Sequence, residues 1–248
     1  MDANYNTLLG VRIDPVTMGE VILWIRSCIQ NRSYGNYINV LNVAKLVKAK
    51  ENHDLFNTIW NANIVGADGV PLIWLSNFIG KKLPERINGT DLMMQIFKHA
   101  HQEHWSIYFL GSDGDNLEKV IKLFKQEFSN AKIAGYRNGY FLPSEEQSLI
   151  GEINDSDANI LLLGFSTPKK EWFVNQWKNT LKVNVIHGVG GSFDVYAGKV
   201  KRAPIFMQRY GLEWFYRLLQ EPQRMFGRYF VTNIKIIYYC LRYIITKK

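Results

Sequence analysis

The sequence predicts an α/β fold in which a Rossmann-like, mostly parallel sheet is flanked by helices and followed by a C-terminal helical appendage. Short apolar runs alternate with helical patterns through the first 200 residues, and no strand pattern recurs after residue 204. Basic charge collects in that last segment. We therefore predict an α/β domain over residues 1–200 and a basic, aromatic helical appendage over residues 201–248.

Seven apolar segments of strand length predict the sheet. Each is followed by a turn or a helix signal, as expected where strands alternate with crossover helices. The predicted strands are residues 7–13, 36–40, 64–67, 106–110, 132–136, 159–163 and 183–187.

Helix start signals fall between these segments. Thr17 and Glu20 have the spacing of a capping box, and the run PSEEQ at 143–147 has the same form. A helix is predicted over residues 89–104, and Pro168 stands where a first helical turn tolerates proline.

Composition and cysteine content exclude several classes of protein. Of 248 residues, 47% are hydrophobic, which is too many for a disordered chain. Cys28 and Cys240 are the only cysteines, which argues against a disulfide framework and fits a reducing compartment. The first residues have neither the basic flank nor the apolar run of a signal peptide, so we expect the protein to stay in the cytoplasm.

The appendage carries the whole net charge of +8. Residues 201–248 contain ten Lys and Arg residues against two acids, whereas the preceding 200 residues contain 20 of each sign. Helices are predicted over residues 211–220 and 222–245. A basic tail of this kind is expected to bind an anionic partner such as phosphates, nucleic acid or lipid headgroups.

Two stripes run along the second appendage helix at helical spacing. The basic stripe consists of Arg224, Arg228, Lys235 and Arg242. The apolar stripe consists of Ile234, Ile237, Leu241 and Ile245. The segment is too short and too charged for a good membrane span. The pattern suits a helix in the headgroup interface of an anionic membrane, and a helix docked on the body or on another subunit is the open alternative.

Three strand ends lead into glycine-containing turns, at residues 111–114, 164–168 and 188–192. In open α/β sheets the carboxyl ends of the strands form the ligand crevice, and helix N-termini there favour phosphate oxygens. The alternative for any single turn is that glycine only permits a tight bend.

Three charged residues, each near a predicted strand end or helix start, are candidates for chemistry. Asp68 follows an apolar strand, where a carboxylate either takes a proton from a hydroxyl group or caps the next helix. Arg86 either holds a phosphate or is a solvated surface arginine. Asp194 is placed to hold a sugar or ribose hydroxyl. We predict no metal site, because the histidines at 99, 101 and 104 do not share a face and lack further ligands.

Ten segments, taken in order, resemble the WecG/TagA/CpsF-type bacterial glycosyltransferases, glycosyltransferase family 26. The resemblance runs from about residue 37 to residue 228. The segments are NVAKL at 42–46, ADGVP at 67–71, RINGTDL at 86–92, FLGS at 109–112, LGFSTPKKE at 163–171, GVGGSFD at 188–194, AGK at 197–199, KRAP at 201–204, GLEWFYRL at 211–218 and EPQR at 221–224.

The resemblance implies an inverting transfer, without a bound metal or other cofactor, from a UDP-sugar to an undecaprenyl-diphosphate-linked acceptor. The sugar would be of the N-acetylmannosamine type, a uronic acid or a hexose, and the product a cell-surface polysaccharide or teichoic acid. The residues 1–200 would then bind the nucleotide sugar and perform catalysis, on the inner face of the cell membrane. A homo-oligomer is compatible with this expectation, and nucleic acid is not an expected partner.

The resemblance also implies site residues. Asp68 corresponds to the catalytic base. The expected substrate-binding residues are Asn39, Asn42, Arg86, Gly111, Lys170, Gly190, Asp194, Arg217, Arg224 and Arg228. Two positions depart from the family pattern: Val40 stands where many members have threonine, and Lys170 stands where many have glutamine.

Two rival functions have specific signals. A nicotinamide-dependent oxidoreductase is suggested by the GVGGSF run at 188–193, but the run lacks the sixth-position glycine of the dinucleotide fingerprint and falls late in the chain. A nucleic-acid-binding module is suggested by the basic, aromatic tail. The apolar stripe beside the basic one is more natural for a membrane.

Overall fold

The computed structural model describes residues 5–246, apart from the side chains of Arg224, Met225 and Arg228. Its main sheet has six strands in the order β4-β3-β8-β7-β5-β6, and every neighbouring pair is parallel. This confirms the predicted α/β fold. The strands are β1 (Asn6–Leu8), β2 (Val11–Ile13), β3 (Asn36–Leu41), β4 (Ile64–Ala67), β5 (Ser106–Gly111), β6 (Lys132–Arg137), β7 (Ile160–Gly164) and β8 (Val185–Gly188).

The prediction of a single strand over residues 7–13 was wrong. The segment folds into an antiparallel hairpin of β1 and β2, separate from the main sheet. Leu9 and Gly10 have φ values of 52° and 83°, and two successive left-handed residues reverse the chain within a two-residue turn. The apolar run continues through Leu9, which is buried, so hydrophobicity alone did not mark the turn.

Helices connect the strands. They are α1 (Met18–Gln30), α2 (Val43–Glu51), α3 (His53–Trp60), α4 (Val70–Phe78), α5 (Gly89–Glu103), α6 (Gly114–Glu127), α7 (Glu146–Asp155), α8 (Lys169–Trp177), α9 (Ser192–Tyr196), α10 (Ile205–Arg209), α11 (Glu213–Gln220) and α12 (Pro222–Thr246). The capping box of Thr17 and Glu20 is confirmed at the start of α1. Pro168 directly precedes α8. In the PSEEQ run, Pro143–Glu145 form a 3-10 turn and Glu146 begins α7, which has no side-chain cap, so the cap predicted for this helix is not formed.

The sheet separates two hydrophobic cores. Residues of α2, α3, α7 and α8 pack on one face, and residues of α1, α5, α6 and α9 pack on the other. Because helices cover both faces of the sheet, a strand such as β7, whose first four residues are buried, is a continuous apolar run in the sequence. The resulting three-layer arrangement brings the strand ends to one edge, where the connecting turns meet.

The last helix lies against the body. Ile236, Tyr239 and Tyr243 of α12 pack on the core that contains α2. The Lys235 Nζ atom lies 2.7 Å from a carboxylate oxygen of Glu51 on α2. The predicted basic stripe is therefore not uniformly turned outward, because Lys235 pairs with the body. The described contacts correspond to the docked-helix alternative.

The opposite face of α12 is apolar and exposed. Ile234, Ile237, Leu241 and Ile245 have exposed fractions of 54%, 59%, 55% and 72%. Within residues 5–246, no helix combines the length and the apolar character needed to cross a bilayer. The division of the chain into two domains at residue 200 stays a prediction.

Candidate active site

A cavity of about 700 Å³ opens at the carboxyl ends of the parallel strands. This volume is in the range of small-molecule and cofactor sites. The residues that follow β4, β7 and β8 form one side, and α2 forms another. Residues of α11 and α12 complete the wall, so the appendage is part of the cavity.

The structure brings most of the predicted site residues together. Seven of them line the cavity: Asn42, Asp68, Arg86, Lys170, Gly190, Asp194 and Arg217. Asn39 and Gly111 do not line it. The predictions for Arg224 and Arg228 lie outside the described side chains.

Asn39 and Gly111 have structural contacts instead. Asn39 is buried in β3, and its side-chain oxygen accepts a hydrogen bond of 2.9 Å from the Lys45 ammonium group. Gly111 ends β5 at a φ of 127°, and a Cβ atom there would approach the backbone of Gly164 to 2.7 Å. Gly111 thus allows the ends of β5 and β7 to pack closely, and Asn39 positions a lysine that reaches the cavity.

Asp68 stands at the end of β4, in the wall of the cavity. It does not cap α4, because the N-cap of that helix is Gly69, at a φ of 113°. The side-chain amide of Asn88 donates a hydrogen bond of 2.9 Å to Asp68 Oδ1. Desolvation, together with the nearby negative charge of Glu213, raises the pKa of Asp68 to about 6. Such a carboxyl group is ionised at neutral pH and is a stronger base than an ordinary aspartate.

Arg86 is a partly buried, ion-paired residue and not a solvated surface arginine. Its Nη1 atom lies 2.6 Å from a carboxylate oxygen of Glu213, on the first turn of α11. Its Nη2 atom lies 3.7 Å from Asp91, which is in the first turn of α5. Arg86 therefore connects the body to the appendage beside the catalytic candidate.

Two lysines and a glutamate form a buried charge cluster at the cavity. Glu171 is fully buried, and its Oε1 atom lies 3.1 Å from the Lys45 Nζ and 3.5 Å from the Lys170 Nζ. Burial alone would raise the pKa of Glu171, but the two lysine charges outweigh it, and the pKa is lowered. Both lysines also line the cavity, so the cluster provides positive charge to a bound anion.

We expect the buried cluster to be necessary for stability. Replacing Glu171 with glutamine leaves Lys45 buried without its carboxylate partner, which typically destabilises a protein by about 3–5 kcal/mol. Urea unfolding followed by circular dichroism measures the change. Glu152→Gln is the matched control, because Glu152 is exposed and neither it nor its partner Arg137 lines the cavity, and we expect a change below about 1 kcal/mol there. Equal effects of the two substitutions would contradict the expectation.

Asp194 and Arg217 flank the glycine turn after β8. The Asn116 side chain donates a hydrogen bond of 3.0 Å to Asp194, which fixes that carboxylate at the cavity wall. A Cβ atom on Gly191 would lie 3.0 Å from a guanidinium nitrogen of Arg217. Within the described part of the chain, the buried Nε atom of Arg217 has no hydrogen-bond partner. An anionic ligand would satisfy that donor.

No metal-binding cluster is found in the described part of the chain. Its His, Cys, Asp and Glu side chains do not come together in groups of three or more that could hold an ion. His99, for example, pairs with Glu103 on the same helix.

Several residues of the cavity were not expected from the sequence. Asn88, Lys45 and Glu213 were parts of recognised segments to which we assigned no role. A signal existed for Lys45, which is spaced four residues from Ala49 on the buried face of α2. A charged residue at a core-facing position needs a partner, but the sequence does not reveal that the partner is Glu171.

The fold and the cavity define an α/β enzyme in which a carboxylate with a raised pKa and several cations face one site. The chain belongs to the Glycosyl transferase WecG/TagA/CpsF family, which it matches over residues 6–248. It is a glycosyltransferase, and the resemblance found in the sequence is confirmed.

Two relatives carry the same description, N-acetylglucosaminyldiphosphoundecaprenol N-acetyl-beta-D-mannosaminyltransferase. The protein of Bacillus spizizenii is 31% identical over 194 residues, which cover 78% of this chain and 75% of the relative. The protein of Bacillus subtilis is 30% identical over 195 residues, with the same coverage of each chain.

Proposed function

We propose that the protein transfers a sugar, with inversion, from a UDP-sugar to an undecaprenyl-diphosphate-linked acceptor in the synthesis of a cell-surface polysaccharide or teichoic acid. The observation that carries the proposal is the shared cavity: Asp68, with its raised pKa, faces the same space as Arg86, Lys170 and Arg217. The descriptions of the two relatives, which name a diphosphoundecaprenol acceptor, agree with it.

The reaction follows from these groups. Asp68 accepts the proton of an acceptor hydroxyl, whose oxygen attacks the anomeric carbon of the donor. The bond from that carbon to the diphosphate breaks, and UDP leaves with the electron pair. A single displacement of this kind inverts the anomeric centre. The negative charge that develops on the diphosphate is stabilised by preorganised cations, with Arg217 and Lys170 as the candidates on this chain.

The proposal is tested by incubating the protein with a panel of UDP-sugars and synthetic lipid-diphosphate acceptors, followed by mass spectrometry of the products. We expect one donor to give a product heavier by one sugar residue, and a chelator to leave the rate unchanged. A donor panel that gives no product would contradict the proposed reaction. Loss of activity in chelator that Mg²⁺ or Mn²⁺ restores would contradict metal independence alone.

We expect activity to fall in acid as Asp68 is protonated. A base must be ionised to act, so a group with a pKa of about 6 gives full activity well above pH 6 and a rate that falls tenfold per pH unit well below it. The measurement is kcat/KM between pH 4.5 and 8.5. A profile that stays flat down to pH 4.5 would argue against Asp68 as the base.

We also propose that the exposed apolar face of α12 attaches the protein to the inner surface of the membrane, where a lipid-linked acceptor is found. The pair of substitutions Ile237→Glu and Leu241→Glu puts two charges on that face, and we expect at least about tenfold weaker sedimentation with phosphatidylglycerol-containing vesicles. Leu23→Glu on α1, where the leucine is 58% exposed, is the control and should not change sedimentation. Unchanged sedimentation of the double variant would refute the attachment site.

A further inference from the structure

Four charged side chains form a ring between the appendage and the body, next to Asp68. Glu213 of α11 contacts Arg86 at 2.6 Å and Arg202 at 3.7 Å. Asp91 of α5 contacts the same two arginines, at 3.7 Å for Arg86 and 2.7 Å for Arg202. Glu213 is the one member of this ring that α11 contributes, so its position depends on the docking of the appendage.

Arg86 is also close enough to Asp68 for its charge to lower the pKa of that carboxyl group. Arginine prefers a carboxylate that it can contact with two nitrogens, and Asp68 would offer such a partner. In the structure Arg86 contacts Glu213 instead. In the described part of the chain, the hydrogen-bonding partner of the Asp68 carboxylate is Asn88.

We infer that Glu213 is a positioning residue, which holds Arg86 away from Asp68 and thereby keeps the Asp68 carboxylate available as a base when α11 is docked. A carboxylate paired with arginine is a weak base, because the ion pair stabilises its charged form. The docked appendage thus prepares the base as well as completing the wall of the cavity. The inference rests on the proposed function, in which Asp68 takes the acceptor proton.

The two cations that act on Asp68 shift its pKa in the direction opposite to Glu213. Lys45 of α2 and Arg86 both lower its pKa, and the hydrogen bond from Asn88 does the same. Glu213 is the carboxylate whose charge raises it. Further charged groups of the same cavity are Lys48, Lys170, Asp194, Lys201, Arg202 and Arg217. Without the Glu213 charge, the effect of Arg86 and Lys45 on the pKa of Asp68 is no longer opposed, and the pKa should fall.

The experiment measures the ionisation of Asp68 directly. Protein labelled with ¹³C at the aspartate carboxyl carbons is titrated by NMR, and Asp68→Asn identifies the resonance. We expect a pKa of about 6 in the unmodified protein. In Glu213→Gln we expect a value lower by roughly half a unit or more, because the repulsion is gone and Arg86 can pair with Asp68. The acid limb of the kcat/KM profile should move down by the same amount.

Two further variants keep the test decisive. Glu213→Asp withdraws the carboxylate from Arg86 but keeps its negative charge. It should therefore lower the Asp68 pKa as Glu213→Gln does, but by less. It replaces Glu213→Gln if that variant does not fold. Glu152→Gln removes an ion-paired carboxylate that does not line the cavity and does not act on Asp68, so it should leave the Asp68 pKa unchanged. A wild-type or higher Asp68 pKa in a folded Glu213 variant overturns the inference, even where activity falls. The titration needs no substrate and therefore does not depend on the transfer reaction. If no UDP-sugar gave a product, the proposed function would be rejected, but the Asp68 pKa would still decide the role of Glu213.

Discussion

Asp68→Asn is expected to lower kcat at least about 10²-fold while leaving UDP binding within a factor of about two. The amide is nearly the same size as the carboxylate and can still contact Asn88, but it cannot accept the acceptor proton. General-base catalysis typically contributes about 10²–10⁴-fold, which sets the scale of the loss. Steady-state kinetics with the acceptor and calorimetric titration of UDP measure the two quantities separately.

Asp115→Asn is the matched control for this substitution. Asp115 is an exposed residue in the first turn of α6 and does not line the cavity, so its amide variant should keep the unmodified kcat. Full activity of the Asp68 variant would remove that residue as the base. A loss of UDP binding equal to the loss of kcat would instead give Asp68 a role in holding the donor.

The sheet could be predicted from the sequence because its strands are short, apolar and separated by helices. Residues of β7 such as Leu161 and Leu162 are buried, so the whole strand reads as one hydrophobic run. The hairpin of β1 and β2 was missed because its turn includes a buried leucine. The short helix α10 has no side-chain cap, and five residues give too little periodicity to detect.

Residues of the candidate site could be predicted from the sequence where they directly follow a predicted strand. Asp68 and Gly190 follow strands, and the ends of parallel strands meet at one edge. The pairing of Glu171 with Lys45, by contrast, joins two helices that are far apart in sequence. The same is true of Glu213 and Arg86, since local patterns contain no information about which distant charges will meet.

The position of Arg217 leads to the second large expected effect. The residue belongs to the appendage, yet it lies at the glycine turn after β8, with a buried Nε donor that has no partner in the described part of the chain. Arg217→Ala should therefore lower kcat/KM for the donor by about 10²-fold, the loss typical for removing one preorganised donor to a developing negative charge. Arg217→Lys should recover little, because an ammonium group cannot reproduce the planar, two-nitrogen contact.

Arg209→Ala separates this local role from the general positive charge of the appendage. Arg209 is an exposed residue of α10 outside the cavity, so its loss removes the same net charge without removing a cavity donor. We expect Arg209→Ala to keep kcat/KM within a factor of about two, since exposed charges contribute little. Equal losses in both variants, or losses that disappear at high ionic strength, would mean that Arg217 acts through long-range attraction, which salt screens. A loss confined to Arg217 places the stabilisation of the leaving diphosphate on a residue of α11, and makes docking of the appendage a requirement for catalysis.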